Sequence, residues 1–349
     1  MYKIGVFPGK FMPPHRGHLN SIINAATKSE LLYVVVSDHP KITKRLCDKD
    51  GLKIMDLKTR AKWLSIELYG FDHIKVVMLD ETGIEEYPYD WTKWSNRLKK
   101  LIPEEFDVIF GGEIEYKEQY KKNFPNAKYE IFDYNIKKYP ISAAEIRSEP
   151  YKNWDYILGS ARPFFTKKVL ISGTESCMKT TISKYLAKIY HTSWTEEEGR
   201  YYNEKYLGGN EDVYTVEDFE RIAYLQRELE YHALKTANKV TFFDTGALVT
   251  QFYLDMFLNT KSDLIDKFID PNRYDLVLLF KPDVEWVDDG YRRSSGIEVR
   301  EDLHTKLKNM YIEYGYGDKI IEISGNYNER LNQATTIVDN LLLKDKKEY

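Results

Sequence analysis

The sequence contains very little cysteine. Among its 349 residues only Cys47 and Cys177 occur, one in each half of the chain. Two cysteines so far apart make neither a disulfide framework nor a four-ligand zinc site, which argues against a disulfide-stapled secreted fold. A reducing compartment fits this usage, and we predict a cytoplasmic protein.

Long hydrophobic runs, a leader segment and a surplus of positive charge are also missing. The longest apolar runs, such as Leu31 to Val36, are far shorter than the ~20 residues of a membrane helix. No basic stretch or cleavage site follows Met1. The formal net charge is −4, whereas nucleic-acid binders usually carry a basic surplus. We therefore predict small-molecule partners, no nucleic acid and no membrane; the choice between monomer and homo-oligomer stays open.

The length and the apolar pattern predict two domains. A chain of 349 residues is too long for one ordinary core. Short apolar segments alternate with helical patterns in both halves, at Ile4 to Phe7, Leu32 to Val36, Ile74 to Leu79, Val108 to Phe110, Val169 to Ile171, Val240 to Phe243 and Leu276 to Phe280. This alternation predicts two α/β domains, each with a doubly wound parallel sheet. We place them at residues 1–160 and 161–349.

The first predicted strand ends in a segment suited to a nucleotide's phosphates. It reads Gly9-Lys10-Phe11-Met12-Pro13-Pro14-His15-Arg16-Gly17-His18, and a helical pattern follows. Ligands of open α/β sheets sit at the carboxyl ends of strands, and a helix N-terminus offers free N–H groups to phosphate. Gly17 lets the backbone approach closely. His15 and His18 can donate to phosphate oxygens or stabilise developing charge.

A second element of this site is predicted late in the same domain. In Ile141-Ser142-Ala143-Ala144-Glu145-Ile146-Arg147, Ser142 is a candidate N-cap of a short helix that ends in Arg147. An arginine there suits bidentate phosphate binding. Taken alone, the segment is more typical of an ordinary capped helix.

Together the two segments resemble the nucleotidyltransferase superfamily, whose signature pairs GxFxPxHxGH with ISxxxxR. The resemblance implies an HxGH nucleotidyltransferase domain that transfers AMP in line from ATP, without a covalent enzyme intermediate. It implies catalytic phosphate contacts from His15, His18, Lys10 and Arg147, and an ATP site that also includes Gly9, Gly17, Ile141 and Ser142. Mg²⁺ would bridge the phosphates. Ala144 stands where relatives often carry threonine.

Two tryptophans hint at the acceptor substrate. Trp91 and Trp94 lie three residues apart on one side of a predicted helix. An aromatic face can stack on a pyridinium ring, a contact worth ~1 to 2 kcal/mol once desolvated. The same spacing is typical of core aromatics. The run Glu85 to Trp94 is similar to NadR-type nicotinamide mononucleotide adenylyltransferases. That resemblance implies nicotinamide binding, by Trp91 first and then Trp94.

A second phosphate loop follows the predicted strand Val169 to Ile171. The segment Gly173-Thr174-Glu175-Ser176-Cys177-Met178-Lys179-Thr180-Thr181 matches GxxxxGK[ST] except that Met178 replaces the second glycine. Lys179 should pair with the β- and γ-phosphates, and Thr180 should ligate Mg²⁺. If position 178 needs a conformation open chiefly to glycine, methionine costs about 1 kcal/mol or more. An ordinary strand–turn–helix is the alternative interpretation.

Two downstream segments extend this second site. Asp244 follows a buried strand, as expected for a Mg²⁺-linked or general-base carboxylate. The segment Glu285 to Arg293 supplies acids and arginines after the strand Leu276 to Phe280, a usual place for a lid over ATP. Taken alone, such a charge cluster is more typical of solvated surface.

These segments are also similar to the ribosylnicotinamide kinase domain of NadR-type proteins. The matching runs, in the same order, are Ala161 to Phe165, the phosphate loop, Glu198 to Arg200, Phe243 to Thr245 and Glu285 to Gly290. The resemblance implies a P-loop kinase that phosphorylates nicotinamide riboside on its 5′-hydroxyl. It implies Asp244 as base or Mg²⁺ partner, and Arg200 and Arg292 as phosphate or ribose contacts. Tyr201 and Gly246 stand where relatives tend to have acidic residues.

The combined prediction is a bifunctional enzyme of NAD biosynthesis, with ATP as co-substrate and Mg²⁺ as cofactor. The C-terminal domain would convert nicotinamide riboside to its mononucleotide, and the N-terminal domain would adenylate this to NAD. Two alternatives stay open: an adenylyltransferase whose degenerate kinase domain senses nucleotides, and a transferase for another phosphorylated acceptor fused to an unrelated kinase.

Some relatives carry an N-terminal helix-turn-helix repressor. Here the first strand begins within four residues of Met1, so no repressor role is predicted.

Overall fold

The computed structural model describes residues 1–132, 138–284 and 296–343. The chain divides into two compact units, Met1–Phe164 and Phe165–Tyr349. The division therefore falls a few residues beyond the position predicted from the sequence, between residues 160 and 161. The predicted lid segment, Glu285 to Arg293 with its Arg292, lies outside the described residues.

The first unit is built on a five-stranded sheet whose strand pairs are all parallel. Its strands are β1 (Tyr2–Gly9), β2 (Ser29–Asp38), β3 (Ile74–Asp80), β4 (Val108–Gly111) and β5 (Lys128–Ile131). They lie in the order β3-β2-β1-β4-β5. The interior strand β2 contains an unbroken apolar run, Leu31 to Val36, and is buried along most of its length, as expected for a strand covered on both faces.

Helices cover both faces of this sheet. They are α1 (Arg16–Ala26), α2 (Pro40–Lys49), α3 (Leu57–Glu67), α4 (Trp91–Leu101), α5 (Lys117–Asn123), α6 (Ala143–Ser148) and α7 (Arg162–Phe165), the last of which crosses the boundary between the units. Local chemistry fixes where several begin: the side chains of Asp56 and Asp90 accept hydrogen bonds from backbone N–H groups in the first turns of α3 and α4. Two apolar clusters result, one on each face of the sheet.

The second unit repeats this architecture with a separate sheet. Its strands are β6 (Lys167–Ser172), β7 (Trp194–Thr195), β8 (Val240–Asp244), β9 (Leu276–Phe280) and β10 (Ile320–Ile323). The order is β10-β9-β6-β8-β7, with parallel pairs throughout. Every residue of β8 and β9 is buried.

The helices of the second unit complete a doubly wound domain. They are α8 (Lys179–Ile189), α9 (Glu198–Tyr206), α10 (Val216–Thr236), α11 (Ala247–Leu258), α12 (Asp263–Asp266), α13 (Ile297–Glu313) and α14 (Tyr327–Leu343). Apolar clusters again lie on both faces of the sheet. Within the described ranges, no helix combines the length and apolar character needed to cross a membrane. The predicted class of two doubly wound α/β domains is confirmed.

Candidate active sites

The first candidate site lies where β1, the middle strand of its sheet, passes into α1. The chain turns from β1 toward β2 on one side, while β4 lies on the other, so the strand order reverses here. His15 is the N-cap of α1, and its carbonyl accepts a hydrogen bond of 3.0 Å from the backbone N–H of Leu19. The rings of His15 and His18 stack with centroids 3.7 Å apart. The structure thus brings both predicted histidines to one helix N-terminus.

Both imidazoles are kept neutral by their surroundings. Burial lowers the pKa of His15 to about 4, against a smaller opposing effect of Glu145. Burial, followed by the neighbouring His15, lowers the pKa of His18 well below its ordinary value. In the described part of the chain, Nδ1 of each ring is buried without a hydrogen-bond partner. Each ring therefore has an unused polar atom for an incoming group.

Close packing fixes the two histidines. A Cβ on Gly17 would lie 3.0 Å from Cε1 of His15, so the imidazole occupies the space that any larger residue would fill. The buried ring of Phe11 meets the His18 ring edge-on at 5.1 Å. A Cβ on Gly9 would come within 2.7 Å of the same Phe11 ring. The two glycines therefore permit the packing that orients the imidazoles.

Lys10 extends an exposed side chain from this loop. Its backbone carbonyl accepts a hydrogen bond from Arg60, a completely buried residue of α3. Arg60 also donates to the carbonyl of Ser37, at 3.0 Å, and to the carboxylate of Asp38. It thereby ties the loop to the end of β2. The sequence analysis missed Arg60, because nothing in the helical pattern separates it from a surface arginine.

Arg147 is brought to the same loop but is already bonded there. Its Nε donates to Asp50 at 2.8 Å, and one terminal nitrogen donates to the carbonyl of Met12 at 2.6 Å. Ser142 caps α6 reciprocally with Glu145, as its sequence position predicts. The predicted contact of Arg147 with phosphate remains a prediction. Asp50, its partner, was missed by the sequence analysis.

The two tryptophans differ, which corrects the expectation that both offer a face to a ligand. Trp94 is only 4% exposed and packs on Tyr120 and Phe124, so it belongs to the core. Trp91 is half-buried at the start of α4, with its ring centroid 5.1 Å from that of Tyr116. Because Trp94 is enclosed by other aromatic rings, only Trp91 stays a candidate for stacking.

The second candidate site is the loop between β6 and α8. Met178 adopts a left-handed backbone, with φ 72° and ψ 14°, which confirms that this position takes a conformation that favours glycine. Gly173 has φ +144°, and a Cβ there would meet the carbonyl oxygen of Phe280 at 2.7 Å. Lys179 is only 8% exposed, and its ammonium donates to the Thr174 carbonyl at 2.8 Å. The loop wraps around this ammonium.

A buried carboxyl stands next to the loop. Asp244, the last residue of β8, accepts a hydrogen bond from the Thr180 hydroxyl. Its other oxygen, Oδ1, is buried and has no hydrogen-bond partner among the described residues. Burial, and then the nearby Glu197 carboxyl, raise the pKa of Asp244 to about 7, against opposing effects of Lys179 and Thr180. The two residues predicted to bind Mg²⁺, Thr180 and Asp244, are thus in direct contact, and their role at a metal ion remains a prediction.

A cavity of about 200 Å³ opens from this loop. Glu197 and Arg200 line it on the loop side. Its apolar part is largely aromatic, with Tyr214, Phe219, Tyr253 and Phe257. Arg200 was predicted from the resemblance, but Glu197 and the aromatic wall were not, since these residues come from two helices, α10 and α11, and from two loops.

The two departures from the kinase pattern are accommodated differently. Tyr201 is half-exposed, and its hydroxyl accepts a hydrogen bond of 2.7 Å from Lys205. It is not one of the residues that line the cavity. Gly246 precedes α11, and a Cβ there would lie 2.8 Å from the hydroxyl of Tyr274. The tyrosine therefore occupies the space that an acidic side chain at position 246 would need.

Fold and sites together define an ATP-using enzyme with two domains, a nucleotidyltransferase domain followed by a P-loop kinase domain. A family model described as an AAA domain matches residues 168–330. The Trifunctional NAD biosynthesis/regulator protein NadR of Escherichia coli (strain K12) is 31% identical over 314 residues, which cover 89% of this chain and 76% of that protein. The chain belongs to the NadR family.

Two solved structures agree with this assignment along the whole chain. A NadR protein in complex with NR superposes with a TM-score of 0.83 at 27% identity, covering 97% of this chain and 95% of that one. A NadR protein in complex with NAD and AMP-PNP gives a TM-score of 0.81 at 28% identity, covering 100% and 98%. The similarity thus includes both units.

Proposed function

We propose that this chain makes NAD in two ATP-dependent steps. The C-terminal domain phosphorylates nicotinamide riboside on its 5′-hydroxyl to give nicotinamide mononucleotide. The N-terminal domain then transfers AMP from ATP to that mononucleotide, giving NAD and diphosphate. The main supporting observation is that the middle strand of each sheet leads into a loop suited to phosphate. The first loop has two histidines with unsatisfied ring nitrogens, and the second has a left-handed turn around a buried lysine ammonium.

In the N-terminal domain, His15 and His18 bind and orient the triphosphate. Phosphate oxygens bring negative charge to two neutral, partly unsatisfied imidazoles and favour their protonated, donating form. Lys10 adds a mobile positive charge from the solvent side. Arg147 holds this loop in place through its hydrogen bond to the Met12 carbonyl, and we propose that it also contacts the phosphates. Catalysis then consists of alignment and charge stabilisation.

In the C-terminal domain, the backbone of residues 173–178 and the Lys179 ammonium bind the phosphates of a second ATP. The aromatic side of the cavity accepts the nicotinamide ring. Asn203, a buried residue of the cavity lining, has a side-chain amide that suits a polar group of the nucleoside. Asp244 or Glu197 takes the proton from the attacking hydroxyl.

Mg²⁺ is the cofactor we propose for the kinase step. The free Oδ1 of Asp244 and the hydroxyl of Thr180 are hard oxygen donors, the type that Mg²⁺ prefers. No group of three or more metal-binding side chains occurs within residues 1–132, 138–284 and 296–343. Mg²⁺ commonly keeps water and substrate phosphates among its ligands, so this sparse donor set fits it. When bound, it would neutralise phosphate charge.

The cellular setting follows from the chemistry. We propose a cytoplasmic enzyme whose partners are small molecules: ATP, nicotinamide riboside, its mononucleotide and NAD. Both cysteines are free thiols, in keeping with a reducing environment.

One incubation tests the proposal. The purified protein is mixed with Mg-ATP and either nicotinamide riboside or nicotinamide mononucleotide, and the products are identified by mass. We expect mononucleotide and then NAD from the riboside, and NAD directly from the mononucleotide. No NAD from the mononucleotide would refute the adenylyltransferase. NAD from the mononucleotide but no product from the riboside would refute the kinase and favour a nucleotide-sensing domain.

A further inference from the structure

A buried carboxyl next to the first site has no role in the steps described so far. Glu81 directly follows β3 and is 2% exposed. Its backbone N–H donates to the carbonyl of Asp38 at 2.7 Å, which fixes it at the carboxyl edge of the sheet. Its Oε2 is buried and accepts no hydrogen bond from the described residues. A buried carboxyl with an unsatisfied oxygen is costly, so its presence calls for an explanation.

Glu81 lies against an aromatic cluster formed by Tyr89, Trp91, Tyr116 and Tyr120. The ring of Trp91 is 5.3 Å from that of Tyr89 and 5.5 Å from that of Tyr120. Burial, followed by the charge of the Glu81 carboxyl and a hydrogen bond from the Tyr89 hydroxyl to that carboxyl, raises the pKa of Tyr89. Glu81 also contributes to the raised pKa values of Tyr116 and Tyr120, after burial and other neighbours. The Glu81 carboxyl therefore contributes to the raised pKa of all three tyrosines in this aromatic cluster.

Arg60 is a buried cation near Glu81, but it does not pair with the Glu81 carboxyl. Arg60 lies close enough to respond to Glu81, but its guanidinium is bonded to the carboxylate of Asp38. One arginine and two carboxyls leave a net negative charge on this side of the aromatic cluster. Charges act more strongly here than at the surface, because the surroundings are poor in water.

Mononucleotides that offer a pyridinium ring to Trp91 fall into two chemical classes. In the amide class the ring is cationic and its substituent is a neutral hydrogen-bond donor. In the acid class the substituent is a carboxylate. A buried negative charge attracts the cationic ring and can accept from an amide N–H, but it repels a second carboxylate.

We propose that Glu81 determines the specificity of the adenylyltransferase for pyridinium mononucleotides that carry an amide over those that carry an acid. This inference rests on the proposed function of the N-terminal domain. Glu81 acts on the substrate's pyridine substituent and not on the phosphates.

The unmodified protein gives the first test. Initial rates of adenylation are compared for three mononucleotides that carry an amide, an acetyl group or a carboxylate at ring position 3. The acetyl analogue keeps a neutral carbonyl but has no N–H. We expect kcat/KM to fall from amide to acetyl to acid, with the acid about tenfold or more below the acetyl analogue because of like-charge repulsion. An acid as good as the acetyl analogue would overturn the proposal.

Glu81→Gln gives the second test, because it removes the charge and keeps the shape. We expect the ratio of kcat/KM for acid over acetyl to rise about tenfold. Glu85→Gln is the matched control, since Glu85 is an exposed carboxylate on the same segment. An unchanged ratio in a folded Glu81→Gln protein would overturn the proposal. If that variant does not fold, the ranking in the unmodified protein decides. Failure of the proposed function looks different: the unmodified protein would adenylate none of the three.

Discussion

The loop after β1 presents two stacked, neutral imidazoles, whereas the loop after β6 encloses a lysine ammonium. Burial lowers the pKa of His15 and His18, so the first loop carries no fixed charge on these rings. Burial alone would also lower the pKa of Lys179, but its neighbours Cys177 and Glu197 outweigh that effect and raise it. The second loop therefore keeps its cation permanently.

In the proposed function, this difference corresponds to two ways of binding a triphosphate. The second loop has its buried charge and its left-handed backbone in place before ATP arrives, which is preorganisation. The first loop has its geometry in place, through Gly17 and Phe11, and its imidazoles would gain charge only when phosphate is present. Substitutions and pH should consequently affect the two activities separately.

The largest expected effect separates the two loops at Lys179. Lys179→Ala should lower riboside phosphorylation about thousandfold, because the phosphate charge loses its buried partner. Adenylation of the mononucleotide should be unchanged. Both rates are measured on the same preparation, with Lys184→Ala as control, since Lys184 is an exposed lysine of α8. A Lys179→Ala protein that phosphorylates the riboside like its parent would show that the kinase domain is a sensor.

The reciprocal substitution is His18→Ala. We expect adenylation to fall about 10²- to 10³-fold in kcat, with riboside phosphorylation intact. His73→Ala removes an exposed histidine of the same unit and serves as control. If both activities fell together, the comparison between two independent loops would be wrong.

Acid should destabilise the first unit through its histidines. The folded-state pKa values of His15 and His18 lie below the unfolded value of 6.5, so the unfolded chain binds more protons as pH falls. The contribution of each neutral ring to stability is complete above pH 6.5 and is lost as the pH falls below 6.5, by up to about 1.4 kcal/mol per pH unit for each histidine. Urea unfolding of the parent and of His15→Gln at several pH values measures this slope. Equal slopes would contradict neutral burial of His15.

The smallest effect is expected at Met178. Glycine there should relieve about 1 kcal/mol of left-handed strain, but it also removes a side chain that packs against the core. We expect Met178→Gly to change kinase kcat/KM for ATP by no more than about threefold, in either direction, given this balance. Met178→Asn is the matched variant, because asparagine tolerates the left-handed region. A tenfold loss in both variants would indicate a direct role for the methionine side chain.

The sequence predicts most of the fold and only the motif-bearing half of each site. Every strand expected from an apolar run is present, but β5, β7 and β10 were not expected. These are short edge strands, and polar residues interrupt the apolar pattern of β5 at Lys128 and Glu130 and of β10 at Glu322. The strand β7 has only two residues, too few for any periodicity.

The site residues that the sequence did not predict were missed for the same physical reason. Arg60 bonds the carbonyl of Lys10, fifty positions earlier, and Asp50 pairs with Arg147 near the end of the same unit. Glu81 and Glu197 likewise gain meaning only from the rings and charges that the fold places around them. A local sequence pattern identifies residues that belong to a motif, whereas residues that act through tertiary contacts can be found only in the structure. Trp94 is the opposite case: its place in a motif suggested ligand binding, but the structure shows that it belongs to the core.

The stacked pair His15 and His18 has a thermodynamic consequence for nucleotide binding. Two imidazoles that are neutral when unliganded and protonated next to phosphate must draw hydrogen ions from the buffer as ATP docks. Heat released in a calorimeter should then vary with the ionisation enthalpy of the buffer chosen, and affinity should strengthen in mildly acidic solution. The Lys179 ammonium of the kinase loop is already protonated before ATP binds, so this lysine should take up no hydrogen ions.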